Sequence, residues 1–565
     1  MKRLISALLV CAMAGVAQTP PGNPTPGVVI EGQTERITMP TRIGITGGQQ
    51  NLLLEEAIQM AIANNLDVSI QKTQMDSAQQ AIGVAKGAFD GKFHWRSELE
   101  TRNSPTPSIL QGENGDLAEH FLRENFSYQQ RIPNTGASFG VEFDNARNSS
   151  NNPFNSLSPY YASSLALNVT IPLLRNRSTD PERSEILIRQ KLASSSEVVF
   201  EERVIDIATQ VAEAYWNLVA AREDVQVETE AVRLAAEQLA QNERQIRAGT
   251  LAPVEVYASR AELERRRDNQ IQAASIVAQV ENQLKTLLLP NHTDPTWMKE
   301  LLPVDDRLLT PEGGTELNES VDSALKQRPE LRDVRYRQDA NALQRKLDRN
   351  QILPLINLTG LYTNQGLAGT VSDATNPFDA LFGDLYTQVD QISGIVNIPP
   401  LPPPSTGQLP QAVIGGYGKA VSAVFTGQYQ SVLGGVTFDF TVRNRAAKAQ
   451  LAESTLEGKR LDLEKARTEQ MIQADVRNSL QSLESARQRM TAAAASVNAA
   501  QEKLESETRL FKTGESTNFL VLTRQNEYLD SRRRLLAARG DFNKAVAVFE
   551  ESSGRTLEAH AIKLQ

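Results

Sequence analysis

The sequence predicts a mainly α chain with a smaller membrane β portion, built from two internal repeats. Three observations carry this. An apolar heptad ladder occurs twice, each copy ends at a glycine followed by a second ladder, and each copy is preceded by runs of alternating apolar and polar residues.

The first ladder is Val204, Val211, Leu218, Val225, Val232, Leu239 and Ile246. Shifted by 265 residues, Val476, Leu483, Met490, Val497, Leu504 and Phe511 fall on the same ladder, and Ala486 and Ala500 answer Ala221 and Ala235. A strict seven-residue apolar repeat favours left-handed coiled-coil packing, and small alanines let helices approach closely. The long helices are expected over residues 180–247 and 445–512, each spanning about 100 Å at 1.5 Å per residue. Gly249 and Gly514 mark reversals into antiparallel helices. The returning series are Val256, Leu263, Val277 and Leu284, broken at Gln270, and Val521, Tyr528, Leu535, Phe542 and Phe549. A long coiled-coil dimer would also satisfy the ladders alone.

Period-two runs precede each long helix. Leu165, Leu167, Val169, Ile171 and Leu173 alternate with Ala166, Asn168, Thr170 and Pro172; Val432, Val436, Phe438, Phe440 and Val442 alternate with Thr437, Asp439 and Thr441. One apolar and one polar face fits a barrel wall between lipid and water, or a half-buried soluble hairpin. Both runs lead into Arg-Asn-Arg, so Arg175, Arg177, Arg443 and Arg445 are membrane-interface candidates or plain solvated residues at a helix start. Asp180 or Thr179 before Pro181 reads as a helix N-terminus.

Lead-in helices are expected from near Leu53 and Leu317, with Ala61-Ile62 answering Ala324-Leu325. Partner strands follow at Phe93, Trp95 and Leu99 and at Ile356, Leu358 and Tyr362. The first copy carries a further hairpin candidate, Phe126 to Ile132 and Phe139 to Phe143, around Asn134-Thr135-Gly136. Residues 366–427 form an insertion whose Pro399, Pro400 and Pro402 to Pro404 favour extended, loop-like chain on the outer side.

The ends and composition bound the rest. Lys2, Arg3, the apolar run from Leu4 to Val16 and the small residues Gly15 and Ala17 read as a signal peptide over residues 1–17. Residues 18–50 are a flexible leader, 51–300 the first repeat, 301–555 the second and 556–565 a C-terminal tail. Cleavage would remove Lys2, Arg3 and the only cysteine, Cys11, taking the formal charge from −9 to −11. That balance gives no electrostatic footprint for nucleic acid, and a cysteine-free chain has neither disulfides nor thiolate chemistry. No run of 18 apolar residues follows, so a membrane passage would need strands. His94, His120, His292 and His560 lie apart from ligand-spaced partners, and no phosphate-cradling loop, Rossmann fingerprint or Gly-x-Ser-x-Gly occurs. No catalytic residue, metal or cofactor is expected; the protein reads as no enzyme.

Helix, strands, long helix, glycine turn and returning helix, twice over and behind a signal peptide, resemble the outer membrane efflux (TolC-like) family. Leu54-Glu55-Glu56-Ala57 through Ala63-Asn64-Asn65-Leu66 is similar to its opening helix. Arg247-Ala248-Gly249-Thr250 with Val254-Glu255-Val256, and Lys512-Thr513-Gly514-Glu515 with Phe519-Leu520-Val521, are similar to its tip turns. The resemblance spans residues 50–555. It implies a homotrimer in the cell outer membrane: a long coiled-coil α-helical barrel forming a periplasmic tunnel, plus a shared trimeric transmembrane β-barrel with about four strands per chain. It implies docking to a periplasmic adaptor (membrane fusion) protein and an inner-membrane pump, in efflux or type I secretion. The tip role carries to Gly249, Thr250, Val254, Gly514, Glu515 and Phe519. Where members carry a tip aspartate, this chain has Glu255 and Leu520; Glu255 is a candidate acidic gate or a solvated residue favoured by the helix dipole. Arg265 to Arg267 and Arg532 to Arg534 read as mostly solvated faces. The alternative is an exported coiled-coil structural protein spanning or anchoring the envelope.

Overall fold

The computed structural model describes residues 42–563 except 108–110, 112–114, 251, 306–307, 312–314, 373–376, 397 and 400–408. The signal peptide, most of the leader and Pro400 and Pro402 to Pro404 lie outside the described residues.

Strand β1 (Gln49–Leu52) leads to α1 (Leu54–Asn64) and α2 (Leu66–Lys86). Between them Asn65 breaks the helix at φ −62°, ψ 132° and accepts hydrogen bonds from the Asp67 and Val68 amides. Four antiparallel strands follow: β2 (Lys92–Pro105), β3 (Asp116–Arg131), β4 (Ser138–Ser150) and β5 (Leu157–Pro172). Then come α3 (Pro181–Arg247) and α4 (Val254–Leu288). Asp180 caps α3, accepting from the Arg183 amide at 2.7 Å, with Pro181 in the first turn.

The second half opens with β6 (Glu300–Pro303), which pairs in parallel with β1. Helices α5 (Leu317–Gln327) and α6 (Pro329–Gln351) are separated by Arg328 at φ −61°, ψ 131°, the conformation of Asn65. Strand β7 (Leu355–Val371), helices α7 (Pro377–Val396) and α8 (Tyr417–Thr426) and strand β8 (Tyr429–Asp439) follow. The chain closes with α9 (Arg445–Thr513), α10 (Asn518–Ser552) and α11 (Thr556–Ala559).

Helices α2 and α4 lie on one flank of α3, the first toward the sheet and the second toward the turn at Gly249. Gln79 meets Glu197 near the sheet and Gln270 meets Thr229 near the turn. Helices α6 and α10 fill the gap between α3 and α9 in the same way. Ser195 meets Asp333 and Gln338 meets Asp462 near the sheet; Lys544 meets Asn217 and Arg489 meets Asp541 further on. The chain thus forms four helical columns: α2 with α4, α3, α6 with α10, and α9.

The ladder residues Val204, Val211 and Leu218 are fully buried, in a core with Ala57, Ile58, Tyr215 and Leu284. Beyond Leu218 the buried apolar positions of α3 move to Val227, Ala231 and Ala235. A straight helix drifts about 20° per heptad against a seven-residue repeat, so a fixed ladder leaves the contact line.

Two expectations are corrected. Among the described residues the sheet has six strands, ordered β2-β3-β4-β5-β7-β8, where about four were expected. The additional hairpin, β3 and β4, joins the same sheet between the two predicted strands of the first half, turning at Gly136 with φ +67°. Residues 366–371 continue β7, and the insertion beyond them carries α7 and α8 where loop-like chain was expected. The C-terminal tail is packed: α11 follows α10 directly, and the buried His560 lies 2.9 Å from Glu55.

Candidate functional site

Two regions carry the chemistry that sequence reading pointed to: the sheet with its helix junctions, and the turns at the far end of the long helices.

Register sorts the sheet residues onto two faces. One face bears Phe93, Trp95 and Leu99 of β2; Phe126 and Tyr128 of β3; Phe139, Val141 and Phe143 of β4; Leu165, Leu167, Val169 and Ile171 of β5; Ile356, Leu358 and Tyr362 of β7; and Val432, Val436 and Phe438 of β8. The other face is mostly polar, with Arg96, Glu98, Glu100 and Arg102 on β2, Glu119 and Arg123 on β3, and Glu142 and Asp144 on β4. The charges interleave: Arg123 reaches Glu100 at 3.1 Å and Glu98 at 3.8 Å, and the Phe121 ring lies between the guanidiniums of Arg102 and Arg123. Period-two alternation keeps these sets apart along every strand. Among the described residues no helix is long and apolar enough to cross a membrane.

The Arg-Asn-Arg segments converge on one place, the C-terminal end of α6. Asn176 stands at φ +67° and Asn444 at φ +34°, conformations that asparagine tolerates better than most residues. The Asn176 amide donates to Asn350 Oδ1 at 2.9 Å, and Gln351 Nε2 donates to Asn176 Oδ1 at 2.7 Å. Asn444 Nδ2 points to the carbonyls of Gln351 and Ile352. Arg177, Arg443 and Arg445 are exposed and Arg175 half-buried. The sequence reading singled out the arginines; the asparagines make the connection.

At the other end, Gly249 (φ +73°) and Gly514 (φ +82°) adopt the left-handed conformation that ends helices, and nothing crowds either Cα. The Thr250 amide donates to Gln245 O and the Glu515 amide to Leu510 O, both at 2.9 Å, closing equivalent turns. Thr250, Val254, Glu515 and Phe519 are exposed, Phe519 at 73%, as is Tyr257.

Glu255 is half-buried and bonded across the two turns, which corrects the reading of a solvated residue at a helix start. Its Oε2 accepts from Asn518 Nδ2 at 3.0 Å. Asn518 Oδ1 accepts from Gln238 Nε2 at 2.9 Å and from Asn242 Nδ2 at 3.0 Å. Asn242 Nδ2 also reaches Ser259 Oγ at 2.6 Å, and Gln238, Asn242, Ser259 and Asn518 are all buried. A buried amide without partners costs on the order of 1–3 kcal/mol, so the set stands or falls together. Sequence reading missed it; the available signal was Asn242, a polar residue seven after Ala235 where the alanine series would continue.

Arg266 is a second correction. It is 4% exposed. Its Nε donates to Glu262 Oε1 at 2.8 Å and its Nη2 contacts Asn526 Oδ1. Arg533 likewise faces inward, pairing with Asp224 and with the buried Glu228. Arg265 and Arg267 pair with Glu262 and Glu264 on the surface of α4. Among the described residues no group of His, Cys, Asp and Glu is placed to hold a metal ion.

Residues 129–288, from the end of β3 through α4, match the family model for outer membrane efflux proteins. The fold is similar to that of several solved outer membrane proteins. The Campylobacter jejuni CmeC outer membrane channel aligns at TM-score 0.59 and 15% identity, covering 89% of this chain and 86% of that one. The outer membrane protein VceC of Vibrio cholerae aligns at 0.58 and 13%, covering 89% and 96%. The open state of the Neisseria gonorrhoeae MtrE outer membrane channel aligns at 0.56 and 15%, covering 89% of each. No curated protein matches the chain by sequence.

Proposed function

We propose that this protein is the outer-membrane channel of a tripartite efflux or type I secretion system, passing substrates from periplasm or pump to the exterior as a homotrimer. The observation that carries the reading is the sheet: six strands gather most of their large apolar side chains on one face, and β2, β3 and β4 turn most of their charges to the other, with Glu124 and Arg147 as exceptions. Such a wall separates hydrocarbon from water.

Ring closure has support at both levels of the molecule. Edge strands β2 and β8 carry unpaired backbone groups beside exposed Phe93, Trp95, Val432 and Val436. Within hydrocarbon such edges must be paired, and closure with further copies pairs them. The helical layer has matching edges. Helix α3, flanked on both sides, buries 21 of its 67 residues, whereas α9 at one edge buries 10 of 69. Leu456, Leu463 and Met471 are left exposed on α9, and Leu66, Ile70 and Val84 on α2 at the opposite edge. Three copies, each giving six strands, would close an 18-stranded barrel around the charged face. In this reading the two halves of the chain are repeats, the tips at Gly249 and Gly514 face the periplasm, and the exposed Val254, Tyr257 and Phe519 meet the adaptor.

The test is to fractionate producing cells, extract the protein from the outer membrane in mild detergent and image the particles. Threefold particles with a short barrel at one end and ion conductance in planar bilayers are expected. A soluble periplasmic dimer or an unclosed rod would overturn the channel in favour of an envelope-spanning structural protein.

A further inference from the structure

The apolar face of the sheet fails at its outer end, and α8 lies over the gap. Register sets Asn145 of β4 opposite Ser163 of β5, Ser163 opposite Gly366 of β7, and Leu165 opposite Asn364. These polar side chains point to the same side as Phe143, Leu165 and Leu167, yet all three are buried. Exposed to lipid, the Asn364 amide would lose its partner, and Asn145 and Ser163 would keep only each other and the Glu124 carbonyl.

Helix α8 supplies both cover and partners. Tyr417 Oη donates to Asn145 Oδ1 at 3.2 Å, an oxygen that also accepts from Ser163 Oγ at 2.8 Å. Asn364 Nδ2 donates to the Val424 carbonyl. Ala420, Ala423 and Val424 are buried beneath the helix. A Cβ at Gly366 would stand 1.9 Å from the Ala420 carbonyl oxygen, so glycine is what lets the helix backbone rest on the strand.

The helix also has a polarity gradient along the wall. Its first turn sits at the rim, where the Tyr417 ring meets Tyr161 at 5.9 Å and Lys419 folds back to donate to the Ile414 carbonyl at 2.9 Å. Its last turn reaches the top of the apolar band, where the Phe425 ring meets Phe143 at 6.4 Å while remaining 70% exposed. Lysine and tyrosine toward the polar side with phenylalanine toward the hydrocarbon is the order favoured at a bilayer boundary.

We infer that α8 is an interfacial membrane element, lying on the lipid side of the wall with Phe425 and Val421 in the outer-leaflet boundary of the bilayer. It replaces, with its own apolar side chains, the lipid contact that Asn145, Ser163 and Asn364 cannot make. This rests on the apolar sheet face being the lipid-facing one, and the test separates the two.

Single cysteines are placed at Phe425, Val421 and Val432 in a C11S background, labelled with an environment-sensitive fluorophore and reconstituted in phospholipid nanodiscs. The probes are a nitroxide-bearing phospholipid and aqueous iodide. Labels at Phe425 and Val421 are expected to be quenched at least threefold more by the lipid nitroxide than by iodide, as is the label at Val432. Iodide quenching at Phe425 and Val421 with lipid quenching at Val432 would place α8 outside the membrane and overturn the inference. Protection from both quenchers would mean a protein contact and equally overturn it. Iodide quenching at Val432 would instead remove the lipid-facing wall itself.

Discussion

Asn518, the first residue of α10, donates its side-chain amide to Glu255 in the first turn of α4 at 3.0 Å, bonding the two helical turns of one chain to each other. The bond belongs to a buried amide cluster, so its loss leaves Gln238 and Asn242 facing an unfilled site. Replacing Asn518 with Ala is expected to cost about 1–3 kcal/mol locally. In the proposed channel this loosens the tip. Bilayer recordings of N518A and E255A should show higher conductance with the trimer intact; unchanged conductance in both would remove the cluster from gating.

At the sheet end, Asn176 combines a left-handed backbone with a side-chain bond from Gln351. N176G loses only the bond, whereas N176A loses the bond and strains the backbone by a further ~1–2 kcal/mol. The thermal midpoint of N176A should therefore fall below that of N176G. The reverse order would show that the glycine's flexibility outweighs the strain.

Polarity on the two sheet faces gives a paired test. V436R places a charge on the apolar face, at a cost of about 2–4 kcal/mol if that position lies near the bilayer midplane. T437R, the next residue, faces the polar side. Heat-resistant oligomer on a gel should be lost for V436R and kept for T437R.

Burial against carboxylates raises two acids in the helical layer. Glu202 is pushed up to about 7 from 4.5, first by burial and then by Glu330, Asp206 and Asp333. Glu551 is pushed up to about 7 from the same value, first by burial, with Asp206 and Glu213 adding to it. A carboxyl raised in the fold binds its proton more tightly there than in the unfolded chain. Its stabilising contribution is therefore full below about pH 4.5 and is lost as pH rises through about 7. Thermal midpoints should decline from pH 5 to pH 8. E202Q and E551Q should flatten that decline and raise the midpoint at pH 8; variants that follow the wild-type slope would refute the assignment.

Helix phase gives the last test. Lengthening α3, α4, α9 and α10 together by seven residues keeps their contact line in register, whereas two residues rotate it by about 200°. Oligomer yield should survive the first insertion and not the second. Equal damage would count against packing along the ladders.

The helices were legible because a seven-residue apolar repeat survives in one dimension: Val204, Val211 and Leu218 are buried where the ladder put them. Asp180 and Pro181 likewise marked the start of α3 to within a residue. What escaped was pairing between distant segments. Nothing near Asn518 announces Gln238, which is 280 residues away, and nothing in Tyr417-Gly418-Lys419 announces Asn145. Prolines at 399 and beyond drew attention to extended chain and away from the helical sequence on either side. Arg266 looked solvated because its run of arginines did; burial depended on α10 crossing at Asn526.

The unequal halves of the sheet, four strands before α3 and two after β6, bear on the bore of a threefold assembly. Twelve helical columns at 8–10 Å between axes make a perimeter of about 100–120 Å. Eighteen strands about 4.8 Å apart and tilted by about 40° make one of about 115 Å. Twelve strands would reach only about 75 Å and would force the conduit to taper where helix meets strand. In the proposed trimer the additional hairpin β3–β4 would act as a gusset, letting the wall pass from helix to strand at nearly constant girth.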